Sequence, residues 1–205
     1  VWIMAYTTID KPSDYFETIL YSGNGGTQSI TSLDFQPDWC WLKARAGDNV
    51  SNHRSVDSVR GATEELFQDA SAAEETNTNG LTAFNSNGFS LGSSGGTNNS
   101  NTTYASWNWK AGTSFTNDAS ATGIGSFNND SGFSIVSYTG LGSNATVKHG
   151  MNQKPSMIIF KRRVGSGWNW TTYHKSMGNN YFVSLNTTNA KSNTSSSTHF
   201  QDTTP

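Results

Sequence analysis

The chain has a single cysteine, Cys40, among its 205 residues. One thiol cannot form an intrachain disulfide, and it cannot supply the set of cysteines that a structural zinc site needs. The scarcity of cysteine therefore excludes a disulfide-stabilised scaffold and is consistent with folding in a reducing cytosol.

Charged residues are also scarce, since they make up 14% of the chain and the net charge is −2. So few cations leave no basic footprint for nucleic acid and no polybasic surface for a membrane. No segment approaches the roughly 20 apolar residues that span a bilayer, and no charged region followed by an apolar one resembles a secretory signal. We therefore expect neither nucleic-acid binding nor membrane insertion.

The abundant residues are Ser, Thr and Asn, which exceed a third of the chain and are mixed with seven Trp, seven Tyr and eleven Phe. Disordered chains are usually poor in aromatic residues. Most segments alternate apolar and polar residues, with Gly and Asn clusters between them, which is typical of half-buried strands. The composition and the alternation of apolar and polar residues together predict a globular, loop-rich, all-β protein.

The chain also repeats itself. Residues 21–25 and 35–45 return about 117 residues later as residues 138–142 and 152–163. This period is longer than that of a solenoid, so each copy is large enough for a small domain or half of one. We predict an N-terminal arm (1–14), a first sandwich unit (15–112), a linker (113–127) and a second, related unit (128–205).

Several strands can be placed from the pattern. Alternation predicts a strand from Tyr104 to Lys110, and residues 39–43 and 157–161 are apolar on both faces, as in mid-sheet strands. The repeat aligns residues 64–68 with a β-branched, aromatic run, which favours a strand there. One helical turn could follow over residues 70–75. Hairpin corners are expected at residues 86–88 and 130–132.

The second copy is incomplete, because it has no counterpart of residues 88–92 and 104–110 before the sequence ends. A sheet without those strands would expose edges and an apolar face. We expect that either further residues of the same chain or another chain supplies them.

No spacing of acidic residues or histidines is typical of a catalytic or metal site. Glycosidases need two carboxyl groups about 5 to 10 Å apart, whereas Glu64-Glu65 and Glu74-Glu75 are adjacent pairs that read as surface charges. The four histidines follow no ligand-type interval; they are His53, His149, His174 and His199. A Ser-His-Asp arrangement stays open, although no Gly-x-Ser-x-Gly elbow is present. We assign no catalytic residue, no metal ligand and no cofactor.

The most distinctive polar cluster runs from Asp57 to Gly61. We favour a structural ion pair between Asp57 and Arg60 that pins a tight loop, and the alternative is an Asp and an Arg that grip a ligand. The tryptophans divide into two groups. We predict Trp39, Trp41, Trp107 and Trp109 as core residues. Trp168 and Trp170 follow a Gly-Ser-Gly hairpin tip, where an exposed indole could stack on a sugar or anchor a protein.

Six segments in combination carry a resemblance to a known family: residues 4–9, 21–25, 36–43, 57–61, 88–92 and 107–112. Together they resemble a repeat family of marine bacteriophage proteins, which is itself similar to concanavalin A-like and SPRY-type β-sandwiches. The resemblance implies an antiparallel β-sandwich of the concanavalin A-like or jelly-roll type and a tail-fibre or other virion protein, and it brings no catalytic residues. The second copy has Lys175 to Gly178 where the first has Ser58 to Gly61, so a site built on Arg60 would belong to the first unit only.

We therefore expect a non-enzymatic virion surface protein, a tail-fibre or capsid-decoration component made in the host cytoplasm. Its expected partners are other virion proteins, copies of itself in a homo-oligomer such as a trimer, and host surface glycans. A carbohydrate-binding lectin module is the first alternative, and a polysaccharide depolymerase is the second.

Overall fold

The computed structural model describes residues 9–48 and 51–193, which form an almost entirely β structure. The strands are β1 (Phe16–Ser22), β2 (Gln28–Ile30), β3 (Trp39–Ala46), β4 (Arg54–Asp57), β5 (Gly61–Phe67), β6 (Glu75–Thr76), β7 (Leu81–Asn85), β8 (Gly88–Leu91), β9 (Thr103–Trp109), β10 (Thr113–Asn117), β11 (Gly123–Asn128), β12 (Phe133–Tyr138), β13 (Met157–Phe160), β14 (Thr171–His174), β15 (Tyr181–Ser184) and β16 (Ser192–Asn193). The helical parts are α1 (Gly95–Asn98) and 3-10 turns at Pro12–Asp14 and Lys175–Met177. Within the described residues, no helix is long and apolar enough to span a membrane. The predicted all-β class is confirmed.

The first half of the described chain, residues 9–112, contains two antiparallel sheets that pack as a β-sandwich. One has six strands in the order β1-β9-β3-β4-β5-β6, and the other has three in the order β2-β8-β7. β9 comes last in sequence but lies between β1 and β3, and it pairs with both. β1 is therefore joined to the rest of the sheet only through β9.

The core lies between these two sheets. On one side it is formed by Cys40 and Leu42 of β3 with Val56 of β4, and on the other by Phe89 and Leu91 of β8, each at most 2% exposed. Burying one such side chain contributes about 1.5–3 kcal/mol, so this cluster is a main source of stability. Burial also raises the pKa of the Cys40 thiol, which keeps it protonated and unreactive.

The four tryptophans predicted as core residues lie on the opposite face of the six-stranded sheet. Trp39 and Trp41 alternate with the inward-facing Cys40 and Leu42 along β3, and Trp107 and Trp109 lie opposite them on β9. Each is half-buried rather than buried. The core assignment has to be corrected, because alternation shows which residues share a face but not which face meets the second sheet.

The second half, residues 113–193, contains a three-stranded sheet, β10-β11-β12, and a four-stranded sheet, β13-β14-β15-β16. The range 113–127, predicted as a linker, holds β10 and most of β11, which pair with each other while β11 pairs with β12. The strands follow the spacing of the repeat, since Phe133 of β12 comes 117 residues after Phe16 of β1 and Thr171 of β14 comes 117 residues after Arg54 of β4.

The two strands predicted to lie mid-sheet, β3 and β13, differ in their pairing. β3 lies mid-sheet between β9 and β4, as its pattern predicted, but β13 pairs only with β14 within the described part of the chain. The predicted strand at 64–68 is present as β5, whereas residues 70–75 form no helical turn before β6. In the predicted N-terminal arm (1–14), Pro12–Asp14 form a 3-10 turn. Residues 1–8 of that arm lie outside the described residues.

The predicted hairpin corners are found where expected. Gly88 joins β7 to β8 with φ of 152°, and a Cβ there would overlap the carbonyl oxygen of Ile30. Gly132 precedes β12 with φ of 65°, in the left-handed region that favours glycine. Both glycines are therefore required by backbone geometry.

Candidate functional site

Asp57 and Arg60 form the ion pair that their spacing predicted. The Arg60 side chain donates from Nε to Asp57 Oδ2 at 2.6 Å, and its backbone amide donates to Asp57 Oδ1 at 2.9 Å. The two contacts close the tight loop between β4 and β5, and the Arg60 side chain is only 5% exposed.

Arg60 has three further acceptors. Its Nη1 donates to the carbonyl oxygen of Glu64 at 3.1 Å and to Glu74 Oε2 at 2.7 Å, and its Nη2 donates to the carbonyl oxygen of Ser55 at 3.1 Å. A guanidinium used this fully has few donors left for a ligand. The structural interpretation of Arg60 is therefore favoured over the ligand-gripping one.

Glu74 extends this network into the second half. Arg163 Nη2 donates to Glu74 Oε1 at 2.6 Å, and the Glu74 backbone amide donates to the Arg163 carbonyl oxygen at 2.9 Å. Burial by itself would raise the pKa of the Glu74 carboxyl, but hydrogen bonds from Arg163 and Arg60 outweigh it and hold this pKa below its usual value. Sequence reasoning missed this junction because the partners lie 89 residues apart.

A second buried ion pair corrects the interpretation of the acidic residues as surface charges. Glu65 on β5 is fully buried and its Oε2 accepts from Arg54 Nη1 of the neighbouring strand β4. Its neighbour Glu64 points to the other face and accepts from Thr76 Oγ1 at 3.1 Å. Within residues 9–48 and 51–193, no three His, Cys, Asp or Glu side chains come together as metal ligands.

Trp168 and Trp170 have different environments, although both follow the predicted hairpin tip between β13 and β14. Trp170 is 6% exposed, and its indole Nε1 donates to the carbonyl oxygen of Phe67 in the first half at 2.6 Å. It packs inside the protein, so the recognition role predicted for it has to be corrected. Trp168 is 52% exposed, with the Arg162 guanidinium 4.7 Å from its ring centroid.

The outer face of the six-stranded sheet carries rows of aromatic rings. Trp39 stacks on Trp109 with 4.2 Å between centroids, and Phe133 of the second half stacks on both at 6.0 and 6.2 Å. The next row pairs Trp41 with Trp107 at 5.9 Å. Phe133 therefore covers part of the tryptophan face, which explains why these rings are half-buried without belonging to the sandwich core.

The histidines have local structural partners. His53 Nδ1 accepts a hydrogen bond from Trp41 Nε1 at 2.9 Å, and burial lowers the pKa of His53. His149 Nδ1 accepts from the Met151 amide at 3.2 Å, and burial lowers its pKa as well. His174 Nδ1 accepts from the Ser176 amide at 3.3 Å, and His199 lies outside the described residues.

Large apolar side chains are exposed mainly in the second half. Among the described residues, nine large apolar side chains are clearly exposed, and seven of these belong to residues 113–193. The seven are Ile124, Tyr138, Leu141, Met157, Val164, Trp168 and Leu185. Where exposed apolar residues gather in one region, they favour a contact with another molecule. The second half is therefore the candidate functional surface.

These features define an all-β sandwich protein whose charged clusters hold its two halves together and whose exposed apolar residues lie in its second half. Residues 11–205 match the family described as Domain of unknown function (DUF7483), so the chain belongs to this family. No curated protein and no solved structure matches the chain.

Proposed function

We propose that the chain is a non-enzymatic structural component of a virion surface, such as a tail fibre or a capsid decoration. Its role is to associate with neighbouring proteins through the second half. The resemblance of its motifs to virion proteins of marine bacteriophages supports this assignment, and so does the exposure of seven large apolar side chains in residues 113–193.

The contrast between equivalent residues carries the proposal. Cys40 of β3 is fully buried in the first half, and Ile158, which takes its place on β13, is only half-buried. An apolar side chain that stands at a core position of the repeat and is left partly in water is stabilised when a partner covers it. The buried charges also support a structural role, because Glu65 and Glu74 are used in ion pairs.

Locating the chain on particles tests the proposal. An antibody against the purified chain, used in immunogold electron microscopy of a virus that encodes it, should label particle surfaces at a fixed position. Label found only in soluble fractions of infected cells would contradict the assignment. Release of reducing ends from host polysaccharide by the purified chain would instead favour the depolymerase.

A lectin role is the second candidate, and the exposure of Trp168 favours it. One face of the indole contacts the Arg162 guanidinium, at 4.7 Å from the ring centroid, which fixes the ring in a position where a sugar could stack. Binding on a glycan array that Trp168→Ala abolishes and Val164→Ala leaves intact would support this role. Val164 is a suitable control because it is an exposed residue of the same loop.

A further inference from the structure

The net charge of −2 hides an uneven distribution of charge along the chain. Residues 1–112 carry six Lys or Arg and twelve Asp or Glu, whereas residues 113–205 carry seven Lys or Arg and three Asp. From Ser131 to Gln201 the sequence has no acidic residue, and all seven cations of the second half lie in that stretch. A charge asymmetry of this size indicates a negatively charged partner for the basic half.

Two connections at equivalent places of the repeat differ in charge and in aromatic content. Residues 43–53 join two directly paired residues of β3 and β4, and residues 161–170 join the equivalent pair of β13 and β14. The first connection has two Lys or Arg, one Asp and no Trp. The second has three Lys or Arg, two Trp and no acidic residue. We call residues 161–170 the basic loop.

The first half of the chain holds one side of the basic loop. The Gly167 amide donates to the Ser71 carbonyl oxygen at 3.0 Å, and the Arg163 side chain binds the Glu74 carboxylate. This ion pair neutralises Arg163, which therefore belongs to the junction between the halves. A loop anchored in this way presents its exposed side chains in one arrangement, and that lowers the entropic cost of binding a ligand.

The second half holds the other side of the basic loop, around its exposed indole. Lys161 Nζ donates to the Trp168 carbonyl oxygen at 2.7 Å, and the Trp170 amide donates to Asn186 Oδ1 at 2.9 Å. Asn186 Nδ2 in turn donates to Asn169 Oδ1 at 2.9 Å. The backbone around Trp168 is therefore fixed, although the side chain is 52% exposed. A large apolar side chain held in water on a fixed backbone is typical of a recognition site.

Two cations of the basic loop have no carboxylate partner among the described residues. The Arg162 guanidinium lies 4.7 Å from the centroid of the Trp168 ring and forms no ion pair with the described part of the chain. Within the same residues, Lys161 donates to the carbonyl oxygens of Trp168 and Ser71 and to no carboxylate. Burial lowers the pKa of Lys161, and an anion bound nearby would counteract that effect.

The chemistry of these groups matches an acidic sugar. The Arg162 guanidinium covers one face of the Trp168 indole and offers paired N–H donors to a carboxylate or a sulfate. The other face of the indole can stack on a sugar ring. Asn169 accepts from Asn186 through Oδ1, and its Nδ2 has no acceptor among the described residues, so it can donate to a sugar hydroxyl. A neutral sugar would leave the guanidinium without an anion.

A nucleic acid fits this surface less well. Its backbone carries a charge on every nucleotide, and proteins neutralise it with many cations along its path. The first half, which adjoins the basic loop, has twice as many acidic residues as basic ones and would repel such a polymer. A polysaccharide with its charges separated by whole sugar rings needs fewer cations for each contact.

We propose that the basic loop is a binding site for an acidic polysaccharide. The Trp168 indole stacks on a sugar ring, and the Arg162 guanidinium pairs with a carboxylate or sulfate on the same sugar or the adjoining one. Lys161 is a positioning residue, because it holds the backbone of Trp168. This names the ligand class for the lectin role and rests on that role.

Affinity electrophoresis of the full chain tests the ligand class. Native gels cast with polygalacturonate, alginate or dextran sulfate provide the acidic polymers, and at least one of them should retard the chain, whereas uncharged dextran should not. Fully methyl-esterified polygalacturonate is the matched control for polygalacturonate, since it keeps the sugar rings and removes the charge. The esterified polymer should bind at least about tenfold more weakly, because a hydrogen bond to a charged group is lost.

Substitutions test the assigned contacts on the polysaccharide that binds most tightly. Arg162→Gln and Trp168→Ala should each weaken binding about tenfold or more. Arg162→Lys should retain part of the binding, because it keeps the charge but not the paired donors. Lys175→Gln is the matched control, since it removes the same charge from an exposed residue at the opposite end of the β13–β14 hairpin and should leave binding nearly unchanged. Because all three side chains are exposed, the melting temperatures should change little.

Several results would overturn the acidic-polysaccharide proposal. They are no retardation by any of the three acidic polymers, equal retardation by the esterified polymer, and an equal loss of binding in Arg162→Gln and Lys175→Gln. Equally tight binding of polyglutamate or of single-stranded DNA would show attraction to any polyanion and would also overturn it. Glycan-array binding restricted to neutral sugars would do the same but leave the lectin role standing. Immunogold labelling is independent of these assays, so unlabelled particles would remove the virion assignment and leave the polysaccharide site intact.

Discussion

The indole Nε1 of Trp170 donates a hydrogen bond of 2.6 Å to the carbonyl oxygen of Phe67, 103 residues earlier in the chain. This contact joins the second half to the end of β5, next to the Glu74–Arg163 ion pair. The loop from β5 to β6 is therefore one place where the two halves are held together, and the stacking of Phe133 on Trp39 and Trp109 is another.

Replacing Trp170 by Phe should destabilise the protein, because it keeps most of the apolar volume but leaves a buried carbonyl oxygen without its donor. The expected loss is about 1–3 kcal/mol of the free energy of unfolding, measured by urea denaturation. Trp168→Phe is the matched control and should leave stability unchanged, since Trp168 is exposed. Equal losses in the two variants would mean that the Phe67 contact does not stabilise the junction.

Replacing Arg60 by Ala should lower the melting temperature strongly. The change leaves Asp57 and Glu74 buried without their shared cation, and breaking a buried ion pair in this way costs about 3–5 kcal/mol. Arg60→Lys should recover only part of this, since an ammonium cannot reach all four acceptors of the Arg60 side chain. The control is Lys148→Ala, which removes an exposed ion pair with Asp118 and should have no measurable effect.

The Asn98 side chain should be among the most sensitive positions of the first half. It is fully buried, its Nδ2 donates to the carbonyl oxygens of Gly26 and Gly92 at 2.8 Å each, and its Oδ1 accepts from the Asn24 amide at 3.0 Å. Asn98→Ala should cost about 2–4 kcal/mol, seen as a lower urea midpoint. Asn144→Ala is the control, because it changes an exposed asparagine and should have little effect on stability. A similarly small loss for Asn98→Ala would mean that these hydrogen bonds contribute little to stability.

Stability should decrease as the pH falls from neutral. Burial holds the pKa of His53 and of His149 below the unfolded value of about 6.5. The unfolded chain therefore takes up protons first, so the stability contribution is complete above pH 7 and is lost as the pH falls below about 6.5. Melting temperatures measured between pH 8 and pH 5 should show this decline.

Replacing His53 by Gln provides the control for the pH effect. Glutamine can still accept the hydrogen bond of Trp41 but does not titrate, so the decline should be shallower in the variant. An unchanged slope would assign the pH dependence to other groups. Trp41 fluorescence in the wild type should change over the same pH range, because protonation of His53 removes its acceptor.

Local pattern was sufficient to predict several features. The period-2 alternation of residues 104–110 placed β9 and put Trp107 and Trp109 on one face, and the spacing of Asp57 and Arg60 predicted their ion pair. The glycines at hairpin corners were also readable, because positive φ is a local requirement. Each of these depends on residues a few positions apart.

Other features depended on how distant segments meet. Alternation is symmetric between the two faces of a sheet, so the sequence could not say that the tryptophan face of β3 would lie away from the core and under Phe133. The Gly-Ser-Gly tip precedes both Trp168 and Trp170, so the sequence could not show which of them is buried. Trp170 is buried because its indole meets the carbonyl oxygen of Phe67, 103 residues earlier in the chain. The burial of Glu65 likewise required Arg54 on the neighbouring strand.

The sequence by itself determined the period of the strands, the 117-residue repeat and the turns, since these follow from backbone sterics and the polarity of neighbouring residues. Only the tertiary structure decided which face is covered, which charges are buried together and which of Trp168 and Trp170 is exposed. Those outcomes depend on the packing of segments far apart in sequence, which no local pattern encodes.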